Sequence, residues 1–164
     1  MRRVTVGHPL TPHPLIQLRG AAVRFRAAIE RCDPKHLTIN MQDFPVGACS
    51  DAVPLLGTYL AEQGFGTFMY ALGLRACDGI NREHSHAWLE ADGIIIDITA
   101  DQFPEVHRKV IVTTRSDWHE TFAREKVKDR ADYRIYDEFT VKRLDAAYRA
   151  ILAELKREAG RAPR

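Results

Sequence analysis

The chain has 164 residues, 45% hydrophobic and 28% charged. That is the balance of one globular domain and excludes a disordered tail, a collagen-like repeat and a small disulfide scaffold. The formal charge of +2, from 24 Lys and Arg against 22 Asp and Glu, sets up no strong field for nucleic acid or an anionic membrane.

The first 13 residues carry Pro9 and Pro12 without any period and read as an irregular arm. From Pro14 the spacing turns helical, with Leu15, Leu18, Ala22, Phe25 and Ile29 on one side. Asp33-Pro34 should stop that helix, leaving Cys32 as a packing residue at its end. Residues 35–48 are punctuated by Asn40, Asp43, Pro45 and Gly47 and read as a loop. A second helix is expected from Cys49 to Gln63, with Val53, Leu56 and Leu60 on its apolar face and Gly64 as terminator. Pro54 removes a backbone donor one turn inside, so either the first turn is loose or the regular helix starts near Pro54.

Thr67 to Leu74 reads as a strand, and Arg75 to Glu83 as a polar loop that includes Cys77. Ser85 to Glu90 and Ile94 to Thr99 then flank Asp92-Gly93, a strong hairpin signal. A further strand is expected around Val110-Ile111-Val112. The end is helical, with Val141, Leu144, Tyr148, Ile151, Leu152 and Leu155 forming a stripe, and residues 160–164 read as a frayed tail. This order implies an α+β fold with an antiparallel sheet, in a single domain over residues 1–164. Three cysteines are too few and too odd a number for a disulfide framework. With no run of 18 apolar residues and no apolar signal core, a cytoplasmic location without membrane contact is expected.

A two-residue Asp92-Gly93 turn would pair Ala91 with Ile94, Leu89 with Ile96 and Ala87 with Ile98. Side chains alternate across a strand, so one face would carry Ala87, Leu89, Ile94, Ile96 and Ile98 toward a core. The other would carry His86, Trp88, Glu90, Ile95, Asp97 and Thr99. His86 and Asp97 then become diagonal neighbours, close enough for Asp97 to orient the imidazole and stabilise its protonated form. A three-residue loop would separate them, but the core pattern favours the shorter turn. An oriented histidine needs a group to activate. Cys49 is the best candidate, because a helix start favours the thiolate, the nucleophilic form.

Gly47-Ala48-Cys49-Ser50-Asp51 heads a helix ending Tyr59-Leu60-Ala61-Glu62-Gln63-Gly64. His86-Ala87-Trp88-Leu89-Glu90 and Asp97-Ile98-Thr99 follow on strands. Together, over about residues 44–100, these resemble the transglutaminase-like superfamily, which shares a papain-like Cys–His–Asp core. The resemblance implies that Cys49 is the nucleophile, His86 the general base and Asp97 its orienting group, with no cofactor and no metal. It implies acyl transfer from a peptide or small acyl substrate through a Cys49 acyl-enzyme. The Cys49 backbone N–H would stabilise the oxyanion, Gln42 would be its second donor or simply a solvated loop glutamine, and Trp88 would line the acyl site or fill space beside the hairpin.

Other readings stay open at this stage. Asp101 could replace Asp97 as the orienting carboxylate. His84 and His86 could share a metal, although no HExxH or CxxC spacing supports one. An arylamine N-acetyltransferase-like activity fits the same catalytic order. A binding module that keeps the fold without turnover is the rival from another class.

Overall fold

Three helices and a sheet grow from these patterns in a computed structural model that describes residues 15–76, 83–125 and 129–161. The expected irregular arm, Cys77 and residues 162–164 lie outside the described residues. Helix α1, Leu15–Arg31, buries Leu18, Ala21, Ala22, Phe25, Ala28 and Ile29. Asp33 ends its run by accepting the Lys35 N–H and capping a short 3₁₀ turn at Pro34–His36. A second 3₁₀ turn, Ile39–Met41, interrupts the expected loop.

Helix α2, Cys49–Glu62, starts at the cysteine and runs through Pro54. The Ala52 N–H donates to the Ala48 carbonyl at 2.9 Å, so the first turn is closed and the helix does not wait for Pro54. Pro54 is the sixth residue of the helix, so the bond it forfeits is the one to Ser50, an exposed residue of the first turn. The long helix α4, Glu138–Arg161, carries Leu144, Ala147, Tyr148 and Ile151 into the core. It stays helical through Gly160 to Arg161, where the sequence indicates a frayed end.

The sheet comprises β1 (Met69–Ala76), β2 (Glu83–Ala91), β3 (Ile94–Asp97), β4 (Ile111–Thr113) and β5 (Ala123–Arg124), ordered β4-β3-β2-β1-β5 and antiparallel throughout. Strand β1 runs two residues later than the alternation indicated, so Arg75 lies in the strand and not in a loop. The hairpin register is the expected one for Ala91–Ile94 and Leu89–Ile96. Asp92 and Gly93 both have positive φ, 48° and 75°, the geometry of a type I′ turn, which only a small or absent side chain tolerates well. The ladder ends at Leu89–Ile96, short of an Ala87–Ile98 pair. The chain turns away there because Asp97 Oδ1 accepts the Thr99 N–H at 2.8 Å, leading into a 3₁₀ turn at Ala100–Gln102.

One sheet face packs on the helices. Ala87, Leu89, Ile96 and Ile98 join Phe25, Leu55, Leu56, Leu60 and Ile151 in one core. The opposite face carries a smaller, aromatic cluster of Trp88, Ile95, Phe103 and Phe122. Beside it lies α3, Asp117–Glu120, a four-residue helix capped by Ser116. No helix among the described residues is long and apolar enough to cross a membrane.

Candidate functional site

Three segments meet at the end of β2. The first is the chain before α2, which passes through a cis Phe44–Pro45 bond and delivers Cys49, half-buried, as the first residue of the helix. Its place matters because the leading N–H groups of a helix have no acceptor within it. The second is β2, which carries His86 opposite Gly73 of β1. The third is the end of β3 and the turn after it, holding Asp97, Thr99 and Gln102.

His86 and Asp97 are both buried and joined by a hydrogen bond of 2.6 Å from Nε2 to Oδ2. The shared face expected from the hairpin places them within reach, and the contact is direct. Burial opposes an imidazolium here, but the Asp97 charge, the Asp97 hydrogen bond and Cys49 outweigh it. His86 is raised from an ordinary 6.5 to about 9. Burial likewise opposes the Asp97 carboxylate, yet the His86 charge and hydrogen bonds from His119 and His86 hold its pKa well below the usual range. With Nε2 occupied by Asp97, Nδ1 is the ring nitrogen left to face Cys49. Gln102 Nε2 lies 3.4 Å from that nitrogen.

Gln102 ties the three segments together. Its Nε2 donates to the Thr99 carbonyl at 2.9 Å, and its Oε1 accepts the Gly47 N–H at 3.2 Å, two residues before Cys49. Gln42, the glutamine singled out from the sequence, is exposed at the end of the second 3₁₀ turn. The glutamine brought to the histidine is Gln102 instead. Trp88 is fully buried, stacks on His86 with ring centres 5.8 Å apart, and donates from Nε1 to Glu90. It forms the wall behind the imidazole. Asp101 is held by two hydrogen bonds from Arg26, at 2.6 and 2.8 Å, so it does not take the place of Asp97. His84 is exposed at the start of β2, its ring edge-on to Phe103.

One residue at this site has no sequence signal. His119, on α3, is fully buried and donates from Nε2 to Asp97 Oδ2 at 2.9 Å. A four-residue helix shows no period, and His119 lies 22 residues beyond Asp97. Only the Ser116 cap, three residues ahead, hints that this histidine is fixed.

The ligand atoms of His86, Asp97 and His119 lie within 4.8 Å of one another. Both imidazoles nevertheless bond directly to one carboxylate oxygen, and no buried side-chain donor or acceptor among the described residues lacks a partner. That is a satisfied hydrogen-bond network, not a spread coordination shell around an ion about 2 Å from each ligand.

Cys32 is buried, and burial together with the Glu154 charge pushes its thiol up to about 11. Cys77 lies outside the described residues.

No family model matches this chain, and no solved structure matches it. A curated relative is "Uncharacterized protein YuaU" of Escherichia coli (strain UTI89 / UPEC), 31% identical over 72 residues. The match takes in 44% of this chain and spans only a third of that relative's length.

Proposed function

We propose that this chain is a cysteine-dependent acyl-transfer enzyme with a papain-like, transglutaminase-like core, in which Cys49, His86 and Asp97 act as a triad. The observation that carries the reading is the buried 2.6 Å His86–Asp97 pair, with Cys49 at a helix start among the groups that act on the imidazole. In the first half-reaction, the Cys49 proton passes to His86 Nδ1 and the thiolate attacks the carbonyl carbon of an amide, ester or thioester. A C–S bond forms and the carbonyl electron pair moves to oxygen. The backbone N–H of Cys49, at a helix start without an intrahelical acceptor, would stabilise that oxyanion. On collapse the bond to the leaving group breaks, and the leaving group takes the proton from His86 Nδ1.

In the second half-reaction, His86 accepts a proton from water or an amine as it attacks the thioester. The new C–O or C–N bond replaces C–S, and the thiol is restored. Asp97 stays ionised and keeps the imidazole in one orientation throughout. Hydrolysis of a peptide or small acyl substrate is preferred over amine transfer, because nothing in the sequence marks a dedicated amine site.

The test is intact-mass analysis after incubation with a peptide amide, an aryl ester and an acyl thioester. An acyl adduct on Cys49, absent from Cys49→Ala, is expected with at least one of them. Iodoacetamide should also label Cys49 well ahead of Cys32, whose thiol is buried and held protonated. Equal, slow labelling of all cysteines, with no adduct from any donor, would favour a binding module that keeps the fold without turnover.

A further inference from the structure

Asp97 serves two histidines with one oxygen. Oδ2 takes His86 Nε2 at 2.6 Å and His119 Nε2 at 2.9 Å, while Oδ1 takes the Thr99 N–H at 2.8 Å and the Thr99 hydroxyl at 3.3 Å. The carboxylate therefore cannot rotate without breaking several bonds at once. The other nitrogen of His119, Nδ1, lies 2.6 Å from the Ser116 hydroxyl, which also accepts the His119 backbone N–H at 3.3 Å. A hydroxyl that accepts from the backbone has its proton free for Nδ1, which leaves the His119 ring proton on Nε2, pointing at Asp97. Trp88 and Trp118 hold the ring edge-on, with centres 4.9 and 4.8 Å away.

We propose that His119 is a positioning residue: a neutral second imidazole, fixed by Ser116, that clamps the Asp97 carboxylate and shares its charge. The proposal rests on the triad reading. Its physical content is a sign. A hydrogen-bond donor on Oδ2 stabilises the carboxylate and weakens its pull on the His86 proton. Without that donor, Asp97 would hold the imidazolium too tightly to release a proton to the leaving group. A merely structural role has the opposite sign. Loosening the pocket would admit water, screen Asp97 and return His86 toward the ordinary histidine range. The titratable and charged groups facing His86 are Cys49 from α2, Asp97 from β3 and His119 from α3. Arg75 lies behind the surrounding Phe103, Trp118 and Phe122 rings.

The experiment is an NMR titration of the His86 imidazole in histidine-labelled full-length protein, with the resonance assigned by His86→Gln. His119→Phe keeps a ring in the aromatic cluster and removes the donor; His119→Gln restores an N–H at similar reach. In His119→Phe the His86 midpoint should rise by about one pH unit, a tenfold tighter hold on the proton. In His119→Gln it should return close to wild type. A midpoint that falls or stays put in His119→Phe overturns the proposal, as does a glutamine variant that behaves like phenylalanine. Should His119→Phe fail to fold, Ser116→Ala carries the test, with a smaller rise expected and a fall or no change overturning it. The titration needs no substrate. Absence of any acyl adduct would therefore sink the triad reading while leaving the His119 result to stand or fall alone.

Discussion

The buried His86–Asp97 pair makes stability depend on pH in a defined window. His86 is raised from 6.5 to about 9, so its contribution is complete below about 6.5 and is lost as pH rises through about 9. Asp97 is depressed from 3.8, so its contribution is present above about 4 and is lost as pH falls through its lowered folded value. The pair therefore stabilises most between about pH 4 and 6.5. Asp97→Asn should be least stable relative to wild type in that window. The gap should narrow by on the order of 3 kcal/mol between pH 6 and pH 10, since a shift of one unit is worth about 1.4 kcal/mol. Urea denaturation at the two pH values measures it, and a gap that is constant or widens would show that the histidine is not held charged. Alternation across a two-residue turn was enough to predict this pair, because face and register are local properties of the sequence. His119 and Gln102 were not legible. They reach the site through a four-residue helix and a 3₁₀ turn, and neither has a period to read.

At the scale of elements, the site depends on how closely β1 approaches the aromatic cluster. Gly73 stands opposite His86, and a Cβ added there would lie 2.5 Å from Phe122 Cβ and 2.8 Å from Trp88 Cη2. The absent side chain is what lets the indole lie flat against the strand and back the imidazole. Gly73→Ala should cost about 1–3 kcal/mol by overpacking, with Trp88 displaced from His86. Chemical denaturation gives the first quantity, and a changed Trp88 fluorescence spectrum in the folded variant gives the second. A variant as stable as wild type would mean that Phe122 and Trp88 have slack the structure does not suggest. Strand alternation identified Trp88 as a neighbour of His86, but burial depends on what covers the sheet. The cover comes from Phe103, Trp118 and Phe122, whose segments show no apolar alternation. The helices were easier to read: α1 and α4 each bury one stripe, α2 is buried on all sides from Asp51 to Leu60, and all three feed one core.

Across the whole molecule, one side chain links the helical layer to the segments of the candidate site. Arg26 of α1 is 3% exposed and donates to the Ile98 carbonyl at 2.8 Å, the Lys109 carbonyl at 2.6 Å and both oxygens of Asp101. Its guanidinium also sits 5.1 Å from the Phe44 ring centre, on the stretch that leads into Cys49. A planar, five-donor group is needed for this, since the acceptors lie on different segments and an ammonium cannot reach them together. Arg26→Met should lose about 3–5 kcal/mol of stability, because Asp101 and two carbonyls would be left without their donor. Arg26→Lys should recover less than half of that loss. The tether also fixes the turn that carries Asp97 and Gln102 relative to Cys49, so alkylation of Cys49 in the folded variants should slow in the same order, methionine more than lysine. Full stability in Arg26→Met would remove the tether from the account. Normal stability with slowed alkylation would instead assign Arg26 to alignment alone, a distinction that melting curves and labelling rates measured on the same samples resolve.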